Sequence, residues 1–350
     1  MSITKNQHYV PQFYLKLFTN SRDQLYVFDK FNRRSYLTHV RNAASEGYFY
    51  EFPHSGQSSS QNARSDADFE ITFKGLDETI NPHIVEVTLS ELEGGYAKVF
   101  TGLLETIEKR GQMDQEQRIA LAHFITIQLL RTPETRRTIA ELVEKGIPEA
   151  LGFDKTIEFN PRHMPIEHAL HMFNPATQRR MMEVLVSHIW MIGINETDLP
   201  LYTSDEPVAK DAHRGPGYGG IGSLGIEIIL PLTPKYALIL YDSRDYHLLT
   251  NLDGTYTSLD KDNILHYNSL QVLQSYRHVY CSSGDLAFAA EVCAENPEIC
   301  EPERTRLNMQ VFSSSHPRAE VRDKVHGHIA SSPTDKQNSK KSRKKRFSKR

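Results

Sequence analysis

The sequence has few of the residues on which disulfide and structural zinc sites depend. Only three of its 350 residues are cysteines, at positions 281, 293 and 300, and no two of them form a Cys-x-x-Cys pair. An odd number of cysteines without that spacing argues against a secreted disulfide scaffold and against a structural zinc site. We therefore expect a chain that folds without such crosslinks in the reducing cytoplasm.

Long hydrophobic runs are also missing. The most apolar helical stretch, residues 120–130, is short and contains His123, Thr126 and Gln128, whereas a membrane-spanning helix needs about 20 mostly apolar residues. The N-terminus has no apolar run of the kind that forms a secretory signal. The sequence thus predicts a soluble, cytoplasmic protein with no membrane contact.

Common nucleotide-binding and hydrolase motifs do not occur. The chain has neither the phosphate-binding pattern G-x-x-x-x-G-K-[S/T] nor the nucleophile elbow G-x-S-x-G. Residues 217–222 (Gly-Tyr-Gly-Gly-Ile-Gly) match G-x-G-x-x-G, but a dinucleotide site needs that pattern between a strand and a helix. Here a loop precedes it and a strand follows it, so we expect no dinucleotide site.

The patterns that are present predict an α+β fold. With 39% hydrophobic and 24% charged residues, the composition is that of an ordinary globular protein. Helical periodicity dominates from about residue 66 to 187, and strand-like runs dominate from 188 to 295 without regular alternation. We expect an N-terminal hairpin (20–51) and short helix, a central helical bundle, and a C-terminal antiparallel or mixed sheet with flanking helices. These parts would form one domain, residues 1–310, followed by a disordered basic tail, residues 311–350.

Several local signals predict where individual elements begin and end. Asp114 and Gln117 have the spacing of a capping box, and Thr132 followed by Pro133 is typical of a helix start. The helix between these two signals is apolar almost all round, so we expect it to be central and buried. Strands are predicted at residues 24–29, 35–40, 47–51, 189–195, 199–203, 225–230, 236–241 and 278–281. Residues 55–65 are predicted to be a mobile polar loop.

Charge is distributed unevenly along the chain. Residues 331–350 contain nine Lys or Arg and one Asp, a net charge of +8, whereas the whole chain carries −3. Residues 1–330 are therefore acidic, with a net charge of −11. We expect the tail to contact the phosphates of a nucleic acid through Lys340, Lys341, Arg343, Lys344, Lys345 and Arg346. The alternative is a tail that only solvates the chain or folds back on its acidic part.

Five separated blocks resemble a bacterial family that is defined as a domain of unknown function. The first block, residues 6–18, contains His-Tyr-Val-Pro-Gln-x-x-Leu. The other blocks similar to the family are residues 127–136, with Arg-Thr-Pro; 202–208, with Ser-Asp-x-Pro-Val; 230–234, Leu-Pro-Leu-Thr-Pro; and Asn268 within 265–280. The resemblance covers roughly residues 5–285 and implies membership but no activity. Tyr276 departs from the family, which more often has a small residue there, and we expect this to alter packing only.

The first block contributes the candidate catalytic residue His8, and the second contributes Gln128 and Arg131. His8 precedes a predicted helix start, where it can act as a general base or donate a hydrogen bond to a phosphate. Alternatively, it packs beside Tyr9 without a catalytic role. Gln128 and Arg131 share one stripe of the buried helix, where a guanidinium must be paired. Arg131 is therefore expected either to bind a carboxylate or phosphate of a substrate or to form an internal ion pair.

Asp205 is the second candidate catalytic residue. It follows a predicted strand and can serve as a metal ligand or a base, or it can stabilise its own turn. Ser204 and Asn268 are expected to bind substrate in the same site. A divalent metal is compatible with these residues but not required by them. His163, His168, Glu167 and His171 do not have metalloprotease spacing, so we expect them to form a solvated histidine-rich surface.

Two classes of function remain from the sequence. The first is a hydrolase or nuclease-like enzyme that acts on a phosphate-bearing substrate, with Arg131 as the anion contact and Gln128 as an orienting group. The second is a non-catalytic binding or sensor protein, for which a mobile-element or phage-defence system is one setting, and in which the same residues stabilise the fold. The enzyme class requires His8, Arg131 and Asp205 to meet around one water-accessible hollow. The sequence leaves the substrate and the oligomeric state open.

Overall fold

The computed structural model describes residues 5–52, 81–146, 164–215 and 219–306. Short strands lie at both ends of this region and helices lie between them. The strands, in chain order, are β1 (Asn6–His8), β2 (Gln24–Asp29), β3 (Arg34–His39), β4 (Ser45–Gly47), β5 (Ile189–Asn195), β6 (Thr203–Ser204), β7 (Ala209–Ala212), β8 (Ile226–Pro231), β9 (Tyr236–Tyr241), β10 (Thr255–Leu259) and β11 (His278–Cys281).

Most of the described helices lie in the middle of the chain, and the others lie near its two ends. They are α1 (Gln12–Leu15), α2 (Ile84–Glu108), α3 (Gln115–Leu130), α4 (Pro133–Glu141), α5 (Met164–Met172), α6 (Pro175–Val186), α7 (Lys261–Gln274) and α8 (Ala287–Glu295). Shorter turns of 3₁₀ or π type lie at Lys16–Phe18, Val40–Asn42, Leu142–Gly146, His247–Leu252 and Pro297–Cys300. None of the helices in the described ranges has the length and apolar character needed to cross a membrane.

The strands form three sheets. The largest is mixed, with the order β10-β5-β9-β8-β7 and one parallel pair, β10 with β5. A four-stranded antiparallel sheet has the order β3-β2-β11-β6, and β1 pairs with β4 in a two-stranded sheet. The N-terminal hairpin is thus completed by strands from the C-terminal part of the chain, which brings distant segments together.

The mixed sheet is covered on both faces. Strands β5, β8 and β9 are buried at every position, as expected when neither face meets water. Alternate residues enter two different cores: Trp190 and Ile192 join the helices and the N-terminal segment, while Ile189 and Met191 pack in the core that includes Ile264 of α7. The helices therefore hold this sheet from both sides.

The predicted α+β fold class is confirmed. The strands 24–29, 189–195, 236–241 and 278–281 have the predicted bounds. The capping box is present, since Asp114 accepts a hydrogen bond from the Gln117 amide at 2.7 Å and Gln117 Oε1 accepts from the Asp114 amide at 3.2 Å. Thr132 caps the next helix, which begins at Pro133.

Two strand predictions were wrong in position, and three strands, β1, β7 and β10, were missed. The strand expected at residues 47–51 lies at Ser45–Gly47, because its partner is the backbone of Asn6–His8. The strand expected at 199–203 is reduced to Thr203–Ser204. Strands β7 and β10 contain mostly polar residues and carry no strand pattern; they form the two edges of the mixed sheet. The predicted loop 55–65 and the tail 311–350 lie outside the described residues, so the tail and the predicted domain bounds stay predictions.

Gly193 gives a direct test of the packing between β5 and its neighbours. A Cβ at this position would lie 2.7 Å from Leu259 Cδ1 and 2.9 Å from Ile239 Cδ1, both buried side chains. We expect Gly193→Ala to reduce the free energy of unfolding by about 1–3 kcal/mol, measured by urea denaturation. Gly94→Ala is the matched control in α2, because no atom lies within 4 Å of its added Cβ. The control should be neutral or stabilising by up to about 1 kcal/mol, and an equal result for the two variants would contradict the packing.

Candidate functional site

Arg131 lies at the C-terminal end of α3 and is buried, with 1% of its surface exposed. Its Nη2 donates to the backbone oxygen of His8 at 2.6 Å and to Glu93 Oε1 at 2.8 Å. The hydroxyl of Tyr50 donates to the Arg131 backbone oxygen at 2.8 Å. A buried guanidinium needs such partners, and Glu93 supplies the counter-charge. Arg131 thus forms the internal ion pair that was one of its two expected roles.

The N-terminal block is bound to α3 through its backbone. Gln128 Nε2 donates to the Tyr9 backbone oxygen at 3.0 Å, one residue after the oxygen that Arg131 holds. His8 is 8% exposed, and its Nε2 lies 3.1 Å from the backbone oxygen of Arg41. Burial lowers the pKa of His8, and Arg131 lowers it further. His8 is therefore a neutral side chain packed at the end of β1.

Asp205 is fully buried and caps a turn of the backbone. Its Oδ1 accepts a hydrogen bond from the Tyr276 amide at 2.8 Å, and its Oδ2 accepts from the amides of Arg277 and His278 at 2.8 and 2.7 Å. This turn connects α7 to β11. Burial raises the pKa of Asp205 and the three amides oppose the rise. The carboxylate thus satisfies consecutive backbone donors at a strand start.

Lys30 holds the same turn from the other side and was missed in the sequence. Its Nζ donates to the backbone oxygens of Val272 and Ser275 at 2.8 and 2.6 Å, at the C-terminal end of α7. Burial lowers the pKa of this ammonium group, with a further contribution from Arg304, and Asp205 opposes the change. A lysine in a hairpin loop gives no sequence signal of burial, because its partners are more than 240 residues away.

Ser204 and Asn268 also have internal partners. The Ser204 hydroxyl donates to Gln271 Oε1 at 2.8 Å. The amide of Asn268 accepts from the Tyr202 backbone amide at 2.7 Å and donates to the Pro200 backbone oxygen at 2.9 Å. These contacts fix strand β6 against α7, and they use the polar atoms that were expected to bind substrate.

The two sets of candidate residues are joined indirectly. Tyr14 is fully buried. Its hydroxyl oxygen lies 2.8 Å from Thr203 Oγ1 and donates a hydrogen bond to the Pro231 backbone oxygen at 2.7 Å. Glu206 Oε1 accepts from the Glu134 amide at 3.3 Å, at the start of α4. Among the described residues, no hydrogen bond joins His8 or Arg131 directly to Asp205. The candidate residues therefore belong to one connected frame rather than to one shared ligand shell.

His278, an ionisable side chain next to Asp205, is partly open to solvent. The His278 side chain is 17% exposed, with Nδ1 3.8 Å from Asp205 Oδ2 and Nε2 3.9 Å from Asp29 Oδ2. Burial lowers the pKa of His278 to about 4, and the guanidinium of Arg277 contributes to the shift. Arg277 itself binds Asp29 through two hydrogen bonds of 2.9 and 2.8 Å. His278 is thus a neutral imidazole beside an ion pair. The sequence gives no signal for this arrangement, because Asp29 and Asp205 are distant from His278 in the chain.

Comparison with known proteins assigns the family. Residues 6–285 match the family described as protein of unknown function, DUF4238. The chain belongs to this family. No curated protein and no solved structure matches the chain.

In this DUF4238 chain, every block that carries the resemblance is bonded to another block. Residues 127–136 hold residues 6–18 through Gln128 and Arg131. Tyr14 reaches both 202–208 and 230–234, and Asn268 holds Tyr202. The segments that carry the resemblance thus hold distant parts of the fold together.

A second buried polar cluster lies between the mixed sheet and α7. Glu227 Oε2 lies 2.7 Å from His213 Nε2, and Tyr267 donates to Glu227 Oε1 at 2.8 Å. His266 Nε2 lies 2.9 Å from Asp211 Oδ2, and Asp211 is opposite Glu227 in the sheet. Although burial favours the neutral acid, His213 holds the pKa of Glu227 below its ordinary value. The sequence does contain a signal for this cluster, a glutamate inside the apolar strand Ile226–Pro231.

The expectation of a solvated histidine-rich surface is wrong for His168. This residue is fully buried, with Nε2 2.7 Å from the Leu130 backbone oxygen and Nδ1 accepting from Arg136 Nε at 3.1 Å. The end of α3 supplies an unpaired oxygen, and only a neutral imidazole can serve both partners. His163, Gly217 and the basic residues 340–346 lie outside the described residues. Within the described ranges, no group of three or more His, Cys, Asp or Glu is arranged to hold a metal ion.

His168 provides a test of this arrangement by pH. Burial lowers its pKa to about 3, with Arg136 contributing. Because the unfolded chain binds the proton more readily, the stability contributed by this residue should fall as the pH drops from about 6.5 towards 3. In an NMR titration we expect the His168 ring to remain neutral at about pH 5, well below the ordinary pKa of histidine. The chain unfolded in urea supplies the reference, and a folded-state midpoint near the reference would contradict burial between Leu130 and Arg136.

Proposed function

We propose that this DUF4238 chain is a non-catalytic binding protein whose ligand is a nucleic acid, contacted by its basic C-terminal segment. One observation carries the choice of a non-catalytic class: the candidate catalytic groups have internal partners. Asp205 accepts three backbone hydrogen bonds, Arg131 is paired with Glu93, and the His8 ring lies against the Arg41 backbone oxygen. A general base or a metal ligand needs a lone pair directed at a substrate or an ion. The contacts of these side chains favour a structural role.

The uneven charge of the chain supports the choice of ligand. The segment 331–350, with its net charge of +8, follows an acidic part of net charge −11. Clustered lysines and arginines bind phosphate backbones by releasing counterions, without reading the base sequence. The acidic part repels the same phosphates, which would restrict the contact to the basic segment. We therefore propose binding that is non-specific in sequence and strongly dependent on salt.

A hydrolase or nuclease-like enzyme that acts on a phosphate-bearing substrate is the second candidate. His278 favours it, because a neutral, partly exposed imidazole beside Arg277 combines a base with an anion contact. In that case Asp205 and Asp29 would position His278 rather than react themselves. Phosphodiesterase activity that His278→Gln removes, without a loss of melting temperature, would favour this candidate over the binding protein.

Replacement of Asp205 distinguishes a structural role from a catalytic one. In Asp205→Ala three buried amides lose their acceptor and Lys30 loses its nearby counter-charge. We expect the free energy of unfolding to fall by about 3–5 kcal/mol, measured by urea denaturation. Asp198→Ala, at an exposed aspartate, is the matched control and should change stability by less than about 0.5 kcal/mol. A catalytic role without a structural one would leave the stability of Asp205→Ala equal to that of the control.

The salt dependence of nucleic-acid binding tests the proposed ligand. If six to nine phosphates are neutralised, the plot of log affinity against log salt for a labelled DNA duplex should have a slope of about −5 to −8. A full-length variant with the Lys and Arg residues of 340–346 replaced by Gln should bind more weakly and with a much flatter slope. The control is a variant in which the same number of uncharged residues of 331–350 are replaced by Ser or Asn, so that the charge of the segment is unchanged. An unchanged slope after neutralisation would rule out the basic segment as the contact.

A further inference from the structure

The exposed side of the N-terminal hairpin carries charge of the opposite sign to the rest of residues 1–330. Four arginines of the hairpin and its ends are exposed, and Asp23 is the exposed acid among residues 20–42. The four are Arg22, Arg33, Arg34 and Arg41. They give the exposed hairpin a net charge of +3 within a part of the chain whose net charge is −11.

These arginines are not neutralised by acids nearby. Within the described parts of the chain, none of the four guanidinium groups has a carboxylate within 4.0 Å. The contacts they do make are to rings: Arg34 lies over Tyr36, 5.7 Å from the ring centroid, and Arg41 Nε donates to His39 Nδ1 at 3.3 Å. By contrast, Asp29 on the neighbouring strand is used by Arg277. Positive charge therefore remains available at this edge.

Two exposed side chains, those of Tyr36 and Leu37, lie between the basic residues at the two ends of β3. Tyr36 and Leu37 lie in the middle of β3 and are 38% and 44% exposed. Strand β3 is the edge of its sheet, so no other strand of the described ranges pairs with its outer backbone groups. Arg34 and Tyr36 lie on the same face because they are two residues apart in a strand. An aromatic ring between cations is the pattern of a surface on which nucleic-acid bases stack.

We propose that the edge formed by β3 and its flanking arginines binds a single strand of nucleic acid. Arg33 and Arg34 lie at one end of β3 and Arg22 and Arg41 at the other, next to the paired residues Gln24 and His39. Six residues of antiparallel strand extend about 17 Å, which separates the two groups of arginines. Phosphates contact the arginines at the two ends, and a base stacks on Tyr36.

This inference rests on the proposed function and adds a second contact to it. The basic segment 331–350 has Phe347 as its one aromatic residue, so it attracts phosphates of any nucleic acid. The hairpin presents the aromatic ring of Tyr36 as well as positive charge. The face of a base can stack on this ring in a single strand, whereas in a duplex the faces are covered by neighbouring bases. The hairpin thus gives the chain a preference for single strands, which the basic segment does not provide.

The preference can be measured in the full-length chain whose Lys and Arg residues of 340–346 are replaced by Gln, so that the hairpin acts alone. The probe is a fluorescein-labelled oligothymidine of twelve nucleotides, compared with a duplex of equal length. Tyr36→Ala should weaken binding to the single strand by about 5- to 150-fold, the range for one stacked base. Arg33→Gln with Arg34→Gln should make the slope of log affinity against log salt shallower by about 1.4, because each phosphate contact on a single strand contributes about 0.7.

Arg179→Gln with Arg180→Gln is the matched control, since these are adjacent exposed arginines on α6. Control and hairpin variants should share the parent melting temperature, and the control should bind as the parent does. Hairpin variants that bind like the control would overturn the inference and leave the role of the basic segment untouched. An effect of the hairpin variants with no effect of neutralising 340–346 would contradict the proposed segment instead. A dimer of the free chain that Leu37→Lys dissociates would assign the edge to a second copy, and would also overturn the inference.

Discussion

The fold depends on one buried charge that organises one turn. Asp205 accepts hydrogen bonds from three consecutive amides, and Lys30 donates to two backbone oxygens on the other side of the same turn. An isolated buried carboxylate or ammonium group is very costly, so each charge is tolerated because the other and the backbone compensate it. This arrangement fixes where α7 ends and β11 begins. Because β11 pairs with both β2 and β6, the turn positions the strand that joins the N-terminal hairpin to the C-terminal part.

The same logic explains why several polar residues of the blocks that carry the resemblance are buried. Arg131 and Gln128 bind backbone oxygens of the first block, Tyr14 binds Thr203 and the Pro231 oxygen, and Asn268 binds Tyr202. Each contact pairs a side chain with a segment far away in the chain. Apolar packing alone would allow these segments to slide, whereas a hydrogen bond to one backbone atom sets their register. Polar residues in such places indicate how a fold is specified as readily as they indicate catalysis.

Sequence reasoning succeeded where the determining interactions are local. The capping box at Asp114, the start of α4 at Pro133 and the apolar strand Ile189–Asn195 depend on neighbouring residues only. Edge strands such as Ala209–Ala212 were missed, because their pairing depends on a partner strand and their side chains are mixed. At the candidate site, the sequence predicted that Arg131 is buried and needs a partner. It did not identify Glu93 as that partner. Lys30 and His168 were beyond prediction, since both are buried by segments distant in sequence.

The exposed charged residues differ from the buried charged residues of the frame in how they are paired. The frame pairs its ions internally, as in Arg131 with Glu93 and Arg277 with Asp29, and leaves little for a ligand. The exposed arginines of the hairpin have no carboxylate partner of this kind among the described residues. A binding function on these arginines requires only that the buried residues hold the hairpin in place.

Hydrogen exchange at the amides of Tyr276, Arg277 and His278 tests the central claim most directly. If the Asp205 carboxylate holds all three amides in the folded chain, they should exchange only through global unfolding, with the same free energy as the slowest amides of β5 and β9. Exchange of these three amides through local opening, at a free energy well below that of the central strands, would contradict the account.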